Sequence, residues 1–373
     1  MDLSVVMPCL NEVETLGTCI SKCINSFERM GINAEIIIAD NGSQDGSLEL
    51  AKSKGARVVT VAEKGYGKAL IGGIKEAKGK YIIMGDADDS YDFNKIDEFY
   101  QKLVTGCDIV QGCRFSIGGG KIEDKAMPLT HKYIGNPLFS TISKFFFSLP
   151  FNDVYCGYRG FNKEKFLELN HFSGGMVFAI ENLIKFKVSG AKCGEIPVTL
   201  HKDGRKKNKS HLNTISDGWK TLRFLVLTCP KWLYFFPALI LLLTSFINLF
   251  EFFSIDQGYK SYNSIKQLIT SQIFFLLSFQ IFMFGLFSSL FAQKLKLLKS
   301  KTINIFFKIL KLRYAFFILF ILICALISIN FFNNNINLDL VYLNIINYFI
   351  IFFSVLLILN SLYVSLITLD ETS

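Results

Sequence analysis

Tyr81-Ile82-Ile83-Met84-Gly85-Asp86-Ala87-Asp88-Asp89 decides the fold class, because an apolar run as long as a buried strand ends there in three carboxylates. Open α/β sheets bind ligands at the carboxyl ends of their strands. Asp86 and Asp88 are close enough to share one cation, and carboxylate-bound Mg2+ or Mn2+ usually also binds substrate phosphates. The stretch therefore predicts a metal site for a phosphorylated substrate. The alternative is an acidic turn that caps the next helix, since short motifs also match by chance.

The first 225 residues alternate short apolar runs with longer helical segments. The expected strands are Leu3–Met7, Glu35–Ala39, Arg57–Val61, Lys80–Gly85 and Asp108–Gly112. Strands separated by crossover helices predict an α/β fold with a mostly parallel sheet. The glycines around Tyr66 fit neither a dinucleotide fingerprint nor a P-loop, because the third glycine and the Walker Ser or Thr are absent.

The composition changes near Cys229, after which Phe, Ile and Leu dominate. Four apolar stretches follow, at about residues 232–250, 268–291, 314–332 and 341–367. Each is near the length of roughly 20 residues that a helix needs to cross a bilayer. Buried helices of a soluble core are disfavoured, because the four runs carry almost no charge. We expect a cytoplasmic α/β domain over 1–211, an amphipathic juxtamembrane helix over 212–230 and four transmembrane helices over 231–373. The middle helix could instead be an ordinary core-facing one.

The link between the second and third apolar stretches predicts the orientation. It carries Lys294, Lys296, Lys299, Lys301, Lys308, Lys311 and Arg313. The positive-inside rule places this link, the N-terminal domain and the C-terminal tail in the cytoplasm. No secretory signal is visible, and nine scattered cysteines fit reduced thiols. The net charge of +9 favours an anionic membrane over nucleic acid, because much of the excess lies beside the spans.

Six segments in register resemble the family 2 glycosyltransferases of GT-A fold. Three are Val5-Val6-Met7-Pro8-Cys9-Leu10-Asn11-Glu12, Ala39-Asp40-Asn41-Gly42-Ser43 and Gly85-Asp86-Ala87-Asp88. The others are Gln111-Gly112-Cys113-Arg114-Phe115, Asp153-Val154-Tyr155-Cys156-Gly157-Tyr158-Arg159-Gly160-Phe161 and Glu195-Ile196-Pro197-Val198. Each motif alone is weak, and their common order carries the resemblance. It covers about residues 1–225 and looks like the dolichyl- and polyprenyl-phosphate sugar synthases, the dolichol-phosphate mannose synthase type.

The resemblance implies a GT-A catalytic domain and an inverting reaction. A nucleotide-diphosphate sugar, of UDP-glucose or GDP-mannose type, would give its sugar to undecaprenyl or dolichyl phosphate on the cytoplasmic face of the cell membrane. A divalent cation and nearby positive side chains would offset the charge on the leaving diphosphate. Whether the protein forms a homo-oligomer is left open.

The resemblance also assigns donor and metal residues. The nucleotide would lie against Pro8, Leu10, Glu12, Asp40 and Ala87, and a basic loop with Arg205 and His211 would meet the diphosphate. Asp86 and Asp88 would hold Mg2+ or Mn2+. Relatives carry Gln where this chain has Ser90, so Ser90, a water or Asp89 would complete the metal shell. His211 replaces a Lys of the relatives, and Lys206, Lys207 and Lys209 would compensate for its weaker charge.

The acceptor phosphate needs positioning and charge screening more than a general base, because it is already anionic. Arg114, counted with Asp86 and Asp88 as catalytic, is expected to bind it, since a guanidinium grips phosphate with two N–H groups. The resemblance adds Lys132 and Asn136, where relatives have Arg and Ser. For Arg159 a structural ion pair is expected. Glu181 would either orient a sugar hydroxyl or support packing.

Two other function classes remain as alternatives. A processive polysaccharide synthase of the same fold needs a Gln-x-x-Arg-Trp stretch, which the sequence lacks. A non-catalytic partner in sugar-lipid translocation would have kept a degenerate transferase domain. Against that partner stands the presence of Asp40, Asp86, Asp88 and Arg114, although fold alone never proves chemistry.

Overall fold

The structure is a computed structural model that describes residues 1–205, 214–254, 262–300, 305, 317–324, 327–328 and 340–367. The chain divides into two compact units. The first unit contains Met1–Leu225 and the short segment Leu295–Leu297. The second unit contains Val226–Lys294 and Leu298–Ser373. The division therefore falls within the region 212–230, for which the sequence predicts a juxtamembrane helix.

Strands and helices alternate along the first unit. Its strands are β1 (Leu3–Cys9), β2 (Ala34–Asp40), β3 (Arg57–Thr60), β4 (Tyr81–Met84), β5 (Ile109–Cys113), β6 (Lys121–Ile122), β7 (Arg159–Asn162), β8 (Cys193–Pro197) and β9 (Thr199–Leu200). Its helices are α1 (Val13–Met30), α2 (Ser47–Ser53), α3 (Tyr66–Glu76), α4 (Ile96–Val104), α5 (Asn136–Phe147), α6 (Lys163–Glu168), α7 (Phe178–Ser189) and α8 (Thr214–Thr228), which continues into the second unit. A π-helical turn, His131–Gly135, precedes α5.

Seven strands form one sheet in the order β3-β2-β1-β4-β7-β5-β8, and β6 pairs with β9 separately. Every pair in the large sheet is parallel except the two that β7 makes with β4 and β5. The predicted mostly parallel sheet is confirmed. All five expected strands are present, with ends within two residues of the expected positions.

Helices cover both faces of the sheet. On one face, Val5 of β1 and Leu16 of α1 belong to the same buried cluster. On the other face, α3 comes so close that a Cβ on Gly73 would lie 2.8 Å from the side chains of Val6 and Ala39. Burial on both faces explains why the strands are continuously apolar and do not alternate.

The reversed strand β7 lies between β4 and β5 and is not among the strands predicted from the sequence. Its first residue, Arg159, pairs with Met84 at the carboxyl end of β4 and with Gln111 in β5. The segment that precedes β7 therefore arrives at the edge of the sheet where the parallel strands end. This direction brings residues 153–157 to the predicted site.

The described parts of the second unit are mostly helical. A π-helical turn, Lys231–Phe235, is followed by α9 (Phe236–Ser254), α10 (Tyr262–Lys294) and α11 (Leu340–Ile367). Three segments of the described chain, Lys231–Ser254, Ser264–Lys294 and Val341–Val364, are long and apolar enough to cross a membrane. They coincide with the first, second and fourth expected spans. The third, at 314–332, lies partly outside the described residues, so the four-helix arrangement stays a prediction.

Polar side chains connect the helices of the second unit. The Ser245 hydroxyl on α9 donates to the Ser271 carbonyl oxygen on α10 at 2.8 Å. The Asn360 amide on α11 donates to Gln280 Oε1 on α10 at 3.1 Å. In an apolar medium such bonds help to specify which helix faces meet.

Candidate active site

Parallel strands bring the predicted residues to one edge of the sheet. Cys9 pairs with Asp40 at the ends of β1 and β2. The strand β4 ends two residues before Asp86, and β5 ends immediately before Arg114. The carboxyl ends of these strands open on the same side, which is where α/β sheets bind ligands.

Asp86 is the most perturbed carboxylate at this edge. Burial raises its pKa, and the charge of Asp88 adds to that effect, bringing the pKa to about 7 although a hydrogen bond with Tyr66 opposes the rise. The backbone at Gly157 is so close that a Cβ there would lie 2.7 Å from Asp86 Oδ2. Two crowded carboxylates of this kind favour a bound cation, because a positive charge relieves their repulsion.

The residues after Asp88 have different orientations. The Ser90 backbone N–H donates to Asp88 Oδ1 at 3.1 Å. Asp89 is in the left-handed backbone region, with φ 62°, and its carboxylate forms an ion pair with Lys22 of α1 at 2.7 Å. The Asp89 carboxylate is thus engaged by α1, which argues against Asp89 as a third metal ligand. Ser90 remains adjacent to Asp88.

Asp86 and Asp88 fit the way Mg2+ is usually held, by one or two carboxylates together with substrate phosphates. Within the described residues, no group of three or more His, Cys, Asp or Glu side chains could hold a metal ion. A cation at this site would therefore take part of its shell from the substrate. Asp86, Asp88 and Ser90 as metal ligands stay a prediction.

Arg205 is the positive side chain beside these carboxylates. Its Nε and Nη2 donate to the two oxygens of Glu12 at 2.7 and 2.5 Å. Its Nη1 donates to Asp203 at 2.8 Å and lies 3.6 Å from Asp88 Oδ2. Burial opposes its charge, but the hydrogen bond to Glu12 and the charge of Asp88 raise the pKa of Arg205 above its ordinary value. His211 and the neighbouring lysines 206, 207 and 209 lie outside the described residues.

The other predicted donor residues lie in or beside the same edge. Asp40 is buried, and its oxygens accept the backbone N–H groups of Gly42 at 3.0 Å and Ser43 at 2.9 Å. This turn fixes the direction of the carboxylate. The carbonyl oxygen of Ala87 accepts the Thr15 hydroxyl at 2.7 Å, which links α1 to the acidic loop. Pro8 lies in β1 and Leu10 directly follows it.

Arg114 forms a bidentate ion pair with Asp153. Its Nε donates to Asp153 Oδ2 at 2.6 Å and its Nη2 to Oδ1 at 2.9 Å. Both side chains are buried. Burial alone would lower the pKa of Arg114, but the charge of Asp153 raises it well above its ordinary value. The sequence predicts a phosphate-binding role for Arg114 but not its pairing with Asp153.

Arg159 has the structural role that the sequence predicted, but not through an ion pair. It is fully buried and donates to neutral oxygens of Gln111, Asn182 and Ala179 at 2.5, 2.8 and 2.9 Å. Burial lowers its pKa to about 10. The expected ion pair is instead made by Arg114, which directly follows β5 and whose backbone N–H and guanidinium both donate to the Asp153 carboxylate.

The remaining predicted residues have local partners. Asn136 Nδ2 donates to Met127 Sδ at 3.4 Å, and the Lys132 ammonium lies 5.4 Å from the Tyr133 ring centre. Glu181 accepts the backbone N–H groups of Phe172 and Ser173 at 3.0 and 2.8 Å. Of the two roles weighed for Glu181, these contacts favour the packing role. The roles of Lys132 and Asn136 stay predictions.

Sequence reasoning missed three residues that the structure places at the site. Tyr66 hydrogen-bonds with Asp86, Gly157 adjoins that carboxylate, and Asp203 holds Arg205. The two glycines that flank Tyr66 could have drawn attention to it. Gly157 lies within one of the segments that carry the family resemblance, whereas for Asp203 the sequence offers no comparable pattern.

Fold and site define a GT-A-like α/β domain with an acidic pair at the carboxyl edge of its sheet, followed by apolar helices of membrane-spanning length. The family model described as "Glycosyl transferase family 2" matches residues 4–169. A low-salt glycan biosynthesis hexosyltransferase of Haloferax volcanii is 31% identical over 289 residues, covering 77% of this chain and 68% of that protein. The chain belongs to glycosyl transferase family 2, and the protein is a glycosyltransferase.

Two further similarities were found. A dolichol-phosphate mannosyltransferase of Pyrococcus furiosus is 31% identical over 226 residues, covering 58% of this chain and 61% of that protein. Glucosyl-3-phosphoglycerate synthase of Mycobacterium tuberculosis, solved with Mn2+, uridine diphosphate and glucosyl-3-phosphoglycerate, has a TM-score of 0.49 and 20% identity, covering 61% of this chain and 80% of that one. The sequence relatives confirm the predicted family.

Proposed function

We propose that the protein is a membrane-bound inverting glycosyltransferase that moves a sugar from a nucleotide-diphosphate sugar to a polyprenyl phosphate at the cytoplasmic face of the membrane. The observation that carries the proposal is the crowded Asp86–Asp88 pair, which has Arg205 3.6 Å from Asp88 and retains a raised Asp86 pKa. A site with cations around a carboxylate pair suits the transfer of a sugar between two phosphates. The name of the Pyrococcus relative supports the acceptor class.

The donor side would stabilise the departing nucleoside diphosphate. A divalent cation held by Asp86 and Asp88 would supply Lewis-acid stabilisation of the charge on the leaving group. Arg205 adds a fixed positive charge within 3.6 Å of Asp88. Asp40 would accept a hydrogen bond from the base, because a carboxylate that already holds two backbone N–H groups still has unused lone pairs.

The acceptor side would orient an anionic nucleophile. Asp153 engages Nε and Nη2 of Arg114, so the lipid phosphate would meet the Nη1 donors of a guanidinium whose plane is already fixed. Because the guanidinium is held in place before the phosphate binds, aligning the two reactants costs less entropy. The phosphate oxygen would then attack the anomeric carbon as the diphosphate departs on the opposite face, which inverts the configuration.

The surface of the first unit supports a location at the membrane. Ile134, Leu138 and Phe145 recur at helical spacing through the π-helical turn and α5, and all three are more than half exposed. On the inward side of α5, Ser140 and Ser143 are buried. In α8, Trp219 is 65% exposed. A helix that turns apolar side chains outward and serines inward suits an interfacial position.

Contacts inside the first unit support the cytoplasmic orientation. Leu295–Leu297, which follows α10, clusters with the first unit, and the Lys296 ammonium donates to the Glu168 carbonyl oxygen. This segment belongs to the basic link that the positive-inside rule places in the cytoplasm. The catalytic domain would therefore be cytoplasmic as well.

The test is to supply membranes containing the protein with labelled UDP- and GDP-sugars and with undecaprenyl or dolichyl phosphate. The label that enters the organic phase is then counted. Asp88→Asn should lower this transfer by roughly a hundredfold or more, because the leaving-group charge loses its partner. Membrane insertion should be unchanged, since the substitution lies in the first unit.

Asp89→Asn is the matched control, because it removes a carboxylate one residue away that is bound to Lys22. Asn tolerates the left-handed backbone of this position, so transfer should persist. Full transfer by Asp88→Asn would contradict the role of the acidic pair. Absence of any labelled lipid with the unaltered protein would contradict the proposed function.

A further inference from the structure

Glu12 is engaged by an arginine and is almost fully shielded from solvent. Both of its oxygens accept hydrogen bonds from one guanidinium, that of Arg205. Its side chain is only 6% exposed, and its backbone N–H donates to the Ser47 hydroxyl at 2.9 Å. A carboxylate fixed in this way is an arginine anchor by its contacts, although the family resemblance places it at the edge of the donor.

Arg205 in turn connects two loops of the site. Its segment is attached to the acidic loop by two backbone bonds, from Gly204 N–H to the Asp88 carbonyl oxygen at 3.0 Å and from His201 N–H to the Ser90 carbonyl oxygen at 2.9 Å. Glu12 belongs to the connection between β1 and α1. The Glu12–Arg205 pair therefore joins this connection to the loop of the proposed metal site.

Charge also argues against direct contact between Glu12 and the donor. A carboxylate beside an anionic diphosphate is repulsive unless a cation neutralises it. With Glu12 taking Nε and Nη2, the guanidinium plane is fixed with Nη1 toward Asp203 and Asp88. Glu12 thereby holds Nη1 on the side of Asp88, where the diphosphate would bind, and Asp203 shares that nitrogen.

We propose that Glu12 is a positioning residue that acts through Arg205: it orients the guanidinium beside Asp88 to meet the β-phosphate of the donor, and it does not itself read the nucleoside. The inference rests on the proposed function and deepens it. It predicts that the contribution of Glu12 depends on the second phosphate. It also predicts that this contribution vanishes when Arg205 is absent.

The experiment measures the binding of UMP, UDP, GMP and GDP, with Mg2+, to the full chain in detergent by isothermal titration. Glu12→Gln and Arg205→Gln should each weaken the bound diphosphate roughly tenfold, the size expected for a lost charge-assisted bond. Binding of the matching monophosphate should change by less than about twofold. The double variant should bind the diphosphate about as well as either single one, because both changes break one unit.

Glu35→Gln is the matched control. Glu35 also binds an arginine with two bonds, to Arg57 Nε at 3.0 Å and Nη2 at 2.9 Å, but it lies near the amino end of β2. It should leave all four affinities unchanged. Retained monophosphate binding also shows that a variant is folded, and Arg205→Gln decides the outcome if Glu12→Gln does not fold.

Equal weakening of monophosphate and diphosphate by Glu12→Gln in a folded protein would show direct contact with the nucleoside and overturn the inference. Losses that multiply in the double variant would overturn it too. If the unaltered chain binds no nucleoside diphosphate, the proposed function fails together with the inference. If it binds UDP or GDP but the Glu12 effect is independent of phosphate number, only the inference fails.

Discussion

Gly157 lies at a position in the site where there is no room for a side chain. It stands two residues before Arg159, which pairs with Met84, and Met84 stands two residues before Asp86. Antiparallel pairing at the end of β4 therefore carries Gly157 toward Asp86. A Cβ at this position would lie 2.7 Å from Asp86 Oδ2 and 3.3 Å from the Tyr66 hydroxyl oxygen.

We expect Gly157→Ala to displace the Asp86 carboxylate and to lower sugar transfer at least about tenfold, with a loss of about 1–3 kcal/mol in unfolding free energy from overpacking. Transfer assays and thermal unfolding in detergent measure the two effects. Gly218→Ala in α8 is the control, since nothing lies within 4 Å of its added Cβ. Normal transfer by Gly157→Ala would mean that the close approach has no bearing on the site.

His171 is a second residue whose surroundings have a measurable consequence. Its ring stacks on Phe166 with centroids 4.1 Å apart. Burial and then the charges of Lys185 and Arg159 lower its pKa from 6.5 to about 3. The folded protein therefore holds His171 neutral in a range where the unfolded chain protonates it.

The sign follows from linkage: stability is unaffected above the unfolded pKa and is lost as the pH falls from 6.5 toward 3. At pH 5 the loss from this residue amounts to about 2 kcal/mol. We expect His171→Phe to reduce the difference in melting temperature between pH 7.5 and pH 5. His201→Gln changes a more exposed histidine and should leave that difference intact. An unchanged pH dependence in His171→Phe would refute the assignment.

At the scale of elements, the sequence predicts correctly those strands that a local run of apolar residues determines. The apolar runs before Asp40, Asp86 and Arg114 gave β2, β4 and β5 nearly to the residue, because strands buried on both faces are continuously apolar. β7 escaped prediction. Its four residues, Arg-Gly-Phe-Asn, lack both an apolar run and alternation, and its direction is set by its neighbours in the sheet.

In the candidate site, too, local features could be predicted from the sequence and long-range pairings could not. Asp86 and Asp88 are recognisable because their spacing and the preceding strand are local. The partners of the arginines are not, since Arg114 lies 39 residues from Asp153 and Arg205 lies 193 residues from Glu12. Pairing over such separations is decided by tertiary packing, which no periodicity in the sequence records.

Packing between α10 and α11 offers a test at the same scale. Asn360→Leu should lower thermal stability in detergent by about 1 kcal/mol, because it leaves the Gln280 amide without its partner across the helix interface. Adding Gln280→Leu should recover part of the loss. Asn248→Leu is the control, as Asn248 bonds to Thr244 within its own helix. Equal effects of Asn360→Leu and Asn248→Leu would contradict an interhelical role.

For the whole molecule, the number of membrane crossings decides where the C-terminus lies. Three crossings are supported by described helices, and the sequence predicts a fourth at 314–332. With four crossings the tail returns to the side of the catalytic domain; with three it lies on the opposite side.

We expect a fluorescent protein fused after Ser373 to fluoresce in cells, and alkaline phosphatase at the same point to be inactive, because the tail should be cytoplasmic. The same two reporters after residue 254 should give the reverse result, since one described span, Lys231–Ser254, precedes that point. Active phosphatase at the C-terminus would contradict the predicted fourth span.

The reversed strand β7 also limits how the enzyme can open. It is bonded to β4 along one edge and to β5 along the other, so the segments that carry Asp86 and Arg114 belong to one continuous platform. Many enzymes admit ligands by swinging one lobe away from another about a hinge. A bonded sheet has no hinge between these two residues. Room for a bulky lipid must come from the loops above, and the spacing of the two groups should stay nearly constant through turnover.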